Sequence, residues 1–281
     1  FFWILLFTLA GCSSSDSPKK QIIVYTHSSF LASYGPGVEL SKAFEKETGI
    51  HVKMIDAGDA SLVLQRLKLD EDAAVDVIVG LDQISMVLAK QLVKWKDISV
   101  DGVDWNPQLP KMDWGRFVPY DWSPLTFVYK KDRVNEVDSW DDLLDQRFEK
   151  KLAIEDPRLS TPGQQFLSGI MHIKGQDGYL DYLRKFKNSV YRVTPSWSSG
   201  YSLFQKGKVS AVFSYLTSPV YHWMNDKDYS YQPVVFKEGH PVQVELAAVP
   251  DRCKNCEGAI RFVKFLLRKE SQKILMNKNI M

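Results

Sequence analysis

The chain is short of cysteine, of unbalanced charge and of long apolar runs. It holds only three cysteines, Cys12, Cys253 and Cys256. The last two form one C-x-x-C pair, with no second pair and no nearby histidine, so a zinc site has little to stand on. The pair reads first as a local disulfide, then as free thiols, and last as metal ligands. Lysine and arginine nearly cancel aspartate and glutamate, leaving a formal net charge of +2. No basic block stands out, which argues against a nucleic-acid partner. No repeat is visible, and the only low-complexity piece is a short Ser-rich stretch near the start. The apolar run at positions 1–11 is too short to span a bilayer as a stable helix.

Present instead is the composition of an ordinary globular protein, 44% hydrophobic and 25% charged over 281 residues. That length allows one large or two medium domains with ample core. Eight Trp and twelve Tyr are included, many outside clear core patterns. Such side chains give ligand sites flat, amphipathic contact.

The opening FFWILLFTLAGC resembles the end of a secretion signal with a lipoprotein cleavage box. In that reading positions 1–12 are a signal segment, truncated at its start, Cys12 carries the lipid, and 13–20 is a tether. The remainder alternates strand and helix patterns. Strands are expected at 21–26, 51–56 and 75–80, and helices at 38–48 and 61–69. Another helix should run to about Leu92, capped by Asp82. Extended segments at 117–122 and 125–129 should meet at a tight bend. A second alternating set follows: strand 151–155, helices 163–174 and 178–187, strand 190–194, helix 198–206 and strand 209–215. Two more extended runs, 233–236 and 242–249, precede a final helix pair over 257–277. This is an α/β chain with a parallel sheet covered on both faces. It forms one unit, an inserted second unit and a return to the first. Lobe 1 would comprise 21–118 and 237–281, and lobe 2 would comprise 119–236, joined by two extended hinge crossovers. Ligands of such sheets sit beyond the carboxyl ends of the strands, where His27, Asp59 and Asp82 fall.

In DPRLSTPGQQF, Thr161 reads as a helix cap with Pro162 in the first position. The same free N–H groups could also seat an anion or polar ligand.

Several segments together resemble the solute-binding proteins of ABC importers, and the thiamine-binding periplasmic family in particular. They are VYTHSSF (24–30), GLD (80–82), FVPYDW (117–122), DPRLSTPG (156–163), SWSSGYSLFQKGKVSAVFSYLTSPVYH (196–222) and EGHPVQVELAA (238–248). The resemblance implies a periplasmic binding protein-like fold of two α/β lobes closing on thiamine, thiamine monophosphate or thiamine diphosphate. It implies no cofactor, no resident metal and no catalysis. It also implies a monomer outside the cytoplasmic membrane that delivers its ligand to a permease and its ATPase. Trp197, Tyr215 and Tyr221 match the family's aromatic site positions, where each could also be packing. Ser160 and Thr161 would receive the hydroxyl or phosphate end. Asp82 and Asp121 would serve the aminopyrimidine or the thiazolium charge, or simply cap a helix and fill a turn. His27, Asp59 and Trp122 complete the expected site. The chain departs from the family at His27, where an aromatic is common, and at Ile280, where a Trp is common. It also stops at Met281, short of the family's last segments.

Two alternatives remain open. A ferric-ion binding protein of the same fold would use tyrosines, with His27 as a further candidate ligand, but the adjacent tyrosine pair of those relatives is missing. An enzyme could be imagined around Ser160, His222, His240 and Asp156, but no nucleophile elbow supports it.

Overall fold

A computed structural model describes residues 20–69, 75–134 and 136–281. The signal segment, Cys12 and all of the tether except Lys20 lie outside the described residues. In chain order the elements are β1 (Gln21–Thr26), α1 (Ser28–Leu31), α2 (Gly37–Thr48), β2 (His51–Asp56), α3 (Ala60–Leu69), β3 (Val77–Asp82) and α4 (Ser85–Leu92). Then come β4 (Val118–Lys130), β5 (Leu152–Glu155), α5 (Thr161–Phe186), β6 (Val190–Thr194), α6 (Trp197–Gln205), β7 (Ala211–Tyr215) and α7 (Ser218–Tyr221). The chain closes with β8 (Tyr231–Pro233), β9 (Val242–Ala248), α8 (Cys256–Leu266) and α9 (Lys269–Lys278).

The strands run in the order β2-β1-β3-β9-β4-β7-β5-β6, with β8 on the flank of β4. The expected parallel pairing holds for β1 with β2 and β3, and for β5 with β6 and β7. The middle differs. β9 runs antiparallel to both β3 and β4, and β4 runs antiparallel to β7 and β8. These are the strands that carry the chain between the lobes and back, so no crossover helix sets their direction. The expected bend near 123 is also absent. β4 is one strand whose first half pairs with β9 and whose second half pairs with β7. Pro124 is tolerated within it because the carbonyls of Pro124 and Pro241 accept the N–H groups of Leu216 and Leu125, both at 2.8 Å.

Burial on both faces explains the near-continuous apolar strands. In β3, Val77 and Val79 pack with Phe44 of α2 and Phe262 of α8, while Ile78 packs with Leu64 of α3 and Met86 of α4. In the second lobe, Phe127 joins Trp140, Phe166, Phe186 and Phe213, and its neighbour Val128 faces Phe204 and Val212. Cys253 and Cys256 are joined as a disulfide, where α8 begins.

Two helix starts border the cleft between the lobes. α5 spans 26 residues but breaks at Gly175 (φ 69), whose backbone is non-helical, so it is two helical segments meeting at a kink, as the two expected helices require. Its cap position is Ser160 rather than Thr161, and no side chain of the cap bonds the helix. Gly163 is required there: a Cβ on it would lie 2.6 Å from the Glu155 carbonyl oxygen, so the first turn of α5 rests directly on the end of β5. α4 starts at Ser85, whose N–H donates to Asp82 Oδ1 at 2.7 Å. The cap position is Ile84 rather than the expected Asp82, which reaches the first helical N–H from three residues upstream.

Candidate functional site

The strand ends and helix starts of the two lobes face each other across a cavity of about 240 Å³. That lies near the small end of ligand pockets, roughly 300–1,000 Å³. His27, Asp59, Thr161, Trp197, Tyr215 and Tyr221 line it, as does Ile280. Asp82, Asp121, Trp122 and Ser160 are not on its wall. The reasons are local. Asp82 is wholly buried and spends its second oxygen on Gln165 Nε2, at 2.7 Å. Asp121 accepts the Trp122 N–H at 3.0 Å and Asn279 Nδ2 at 2.8 Å. Trp122 packs against the first-lobe core beside Val244. Ser160 is fully buried behind Thr161, with no partner for its hydroxyl among the described residues.

One wall is aromatic and belongs to α6, β7 and α7. Ser196 caps α6 through the Ser199 N–H, which places Trp197 at the helix's first position. Its ring stacks on Tyr201 at 4.9 Å and meets Tyr215 at 6.3 Å. Its Nε1 donates to Ser214 Oγ at 2.8 Å, which fixes the ring's tilt. Behind it, His222 lies flat between Tyr201 and Tyr231, so the wall is several rings deep.

The opposite wall carries charge. Glu245 of β9 and His27 after β1 approach to 3.7 Å between Oε1 and Nε2. At that separation they form an ion contact and not a hydrogen bond. Burial opposes both charges. Their mutual attraction outweighs it, so His27 titrates above its ordinary range and Glu245 below. The Tyr120 hydroxyl also donates to Glu245 Oε2. Tyr120 can reach because β4 slips register between Pro119 and Asp121. Asp59 sits beside them and accepts the Thr161 N–H at 3.2 Å. A carboxylate of the first lobe thus occupies the N-terminus of a helix in the second, the favoured end for negative charge. Burial nonetheless raises the Asp59 carboxyl above the usual range. Glu155, buried just beneath with both oxygens unpartnered, is held far above it by that burial. Gln165 also bonds across the lobes, and Tyr34 and Ser198 approach to 3.5 Å at the mouth.

Sequence reasoning missed Glu245, Gln243, Tyr201 and the hydroxyls behind the wall. Glu245 and Gln243 stand within an otherwise apolar strand, VQVELAA. Buried charge in such a setting is a signal in itself.

The chain matches the family model of the bacterial extracellular solute-binding proteins over residues 34–273. It is 32% identical to the thiamine-binding periplasmic protein of Escherichia coli K12, covering 96% of this chain and 83% of that one. The chain belongs to the thiamine-binding periplasmic protein family of bacterial solute-binding proteins. A solved periplasmic thiamin binding protein superposes with a TM-score of 0.87 at 32% identity, covering 94% of this chain and 83% of the other. Iron-bound HitA from Pseudomonas aeruginosa, at 19% identity and a TM-score of 0.75 over 92% of this chain and 84% of its own, shares the fold alone. The two-lobed α/β architecture is that of a periplasmic binding protein, a component of transport and not an enzyme.

Proposed function

We propose that this solute-binding protein captures thiamine or one of its phosphate esters outside the cytoplasm and hands it to the permease of an ABC importer, driven by a cytoplasmic ATPase. The observation that carries this reading is the pairing of walls in one cavity: Trp197, Tyr215 and Tyr221 face the carboxylates of Asp59 and Glu245. Thiamine joins a permanently cationic thiazolium to a flat aminopyrimidine. Aromatic faces attract such a cation by about 1–2 kcal/mol each in a water-poor site. The carboxylates supply the opposite charge and accept N–H donors. The likeness to the Escherichia coli protein supports the same ligand.

The hydroxyl or phosphate end would approach Thr161 at the start of α5, where a phosphate must displace the Asp59 carboxylate from the helix terminus. Loss of that contact and of the Gln165 bonds would let the lobes part, bending at the two crossovers. The protein works as a monomer, held at the membrane by a lipid on Cys12.

Calorimetric titration of the chain from Ser13 with thiamine, its monophosphate and its diphosphate tests the ligand. One tight site for at least one of them is expected. Folded protein that binds none of the three would discard the ligand and leave the family standing.

A further inference from the structure

The floor of the cleft holds one arrangement that cation binding by aromatic rings does not call for. A titratable histidine, His27, sits beside Glu245, where the ligand's own charge must go. His27 has little freedom. Its Nδ1 pairs with Ser29 Oγ at 2.7 Å, and its ring edge meets Phe30 at 5.7 Å. Against β3, the chain bulges at Gly80 (φ 100), and a Cβ there would stand 2.5 Å from His27 Cδ2. The ring is therefore wedged in place, with Nε2 towards Glu245 and no hydrogen-bond partner for it among the described residues. Glu245 is fixed from its other side by Tyr120 and by Gln243 Nε2 at 3.3 Å.

Resting on the cation reading above, we propose that His27 is the resident counter-ion of Glu245 and that a cationic ligand supplants it, so that capture expels the His27 proton. The balance is simple. The N–H bond at Nε2 breaks, the proton passes to solvent or buffer, and the ligand's fixed positive charge replaces it beside Glu245. Two cations cannot share one carboxylate in a water-poor cleft, and His27 is the one that can discharge. One positive charge leaves as another enters, so the exchange keeps the charge that the cavity held when empty.

Carboxylates face His27 from several elements. Glu245 faces it from β9, Asp56 from the end of β2, Asp59 from the turn that follows, and Tyr120 stands behind Glu245 on β4. Asp82 and Asp121 act on or through Glu245. Among the described residues, the one basic residue on the cavity wall besides the histidines is Lys278, at the end of α9. Burial works against the imidazolium, but the carboxylates more than offset it.

The test is calorimetry with thiamine in buffers of different ionisation enthalpy, from pH 6 to pH 9, on wild type and His27→Gln. The slope of the observed enthalpy against the buffer's own counts protons released. Wild type should release close to one proton per thiamine at the acid end and close to none at the alkaline end. Its affinity should weaken about tenfold for each pH unit below the His27 titration. His27→Gln should lose both effects. NMR of ring-¹⁵N-labelled histidine in wild type should show His27 turn from cationic to neutral as thiamine saturates the site, which decides the matter even if the variant fails to fold. Equal proton release in both proteins, or a His27 that stays protonated in the complex, would overturn this inference and leave the ligand reading intact. Folded wild type that binds no thiamine would remove both.

Discussion

Replacing Trp197 with alanine probes the aromatic wall at its centre. The indole opens α6, stacks on Tyr201 at 4.9 Å and donates to Ser214 Oγ at 2.8 Å. A cation against an indole face in a water-poor site gains about 1–2 kcal/mol. Each 1.4 kcal/mol or so is a factor of ten in affinity. Truncation also removes the flat surface that would hold the aminopyrimidine or thiazolium edge, adding apolar contact to the loss. Leaving Ser214 without the indole costs little, because its hydroxyl keeps Ser218 Oγ at 2.8 Å. The dissociation constant for thiamine should therefore rise at least tenfold, and roughly thirtyfold if the full cation–π term is lost. Trp197 is only partly buried, so the melting temperature should move far less than for a core substitution such as Phe127→Ala. Calorimetric titration of both proteins, with a thermal melt to confirm folding, measures the effect. A folded Trp197→Ala protein whose affinity stays within about threefold of wild type would remove Trp197 from the site and refute the energetic reasoning.

Two further outcomes rest on the same geometry. Asp59→Ala removes the carboxylate that bridges the lobes at Thr161. In the absence of ligand its scattering profile should show a larger radius of gyration than wild type, and an unchanged radius would mean that this contact does not hold the lobes together. Asp121 is raised to about 7 by burial, reinforced by the negative charge of Glu245. The folded state then holds a proton that the unfolded chain, titrating near 4, has released. That stabilising contribution is complete below about pH 4 and is lost as pH rises towards 7. Asp121→Asn should flatten this part of the stability–pH curve in denaturant titrations. A slope identical to wild type would show that the carboxyl is ionised in the fold.

Much of the secondary structure was legible in advance because the signals are local. Gly49 stops α2 in the left-handed conformation (φ 69), and Pro162 opens α5, as their chemistry requires. The boundary errors have local causes too. Four-residue α1 carries no periodicity long enough to read. Pro124, between the two segments expected to meet at a bend, lies within a strand whose hydrogen bonds route around it.

The site was legible in part. Its aromatic members came from a resemblance, and the cavity brings Trp197, Tyr215 and Tyr221 together. Asp82 and Asp121 were chosen for their charge and position. Both carboxylates are engaged by protein donors. Sequence shows that a carboxylate exists, but not which N–H groups will reach it first.

By itself the sequence determined the alternation of strands and helices, the apolar faces, helix punctuation such as Gly49 and Pro162, and the wealth of aromatic side chains. Each of these rests on residues a few positions apart. Only the tertiary structure decided that Glu245 would meet His27, that Tyr120 would support it through a slip in β4, and that Asp59 would reach the start of α5 in the other lobe. Those contacts join segments brought together by the two crossover strands. Period-two alternation tells which face a side chain takes, while burial and the partner across the cleft decide its charge.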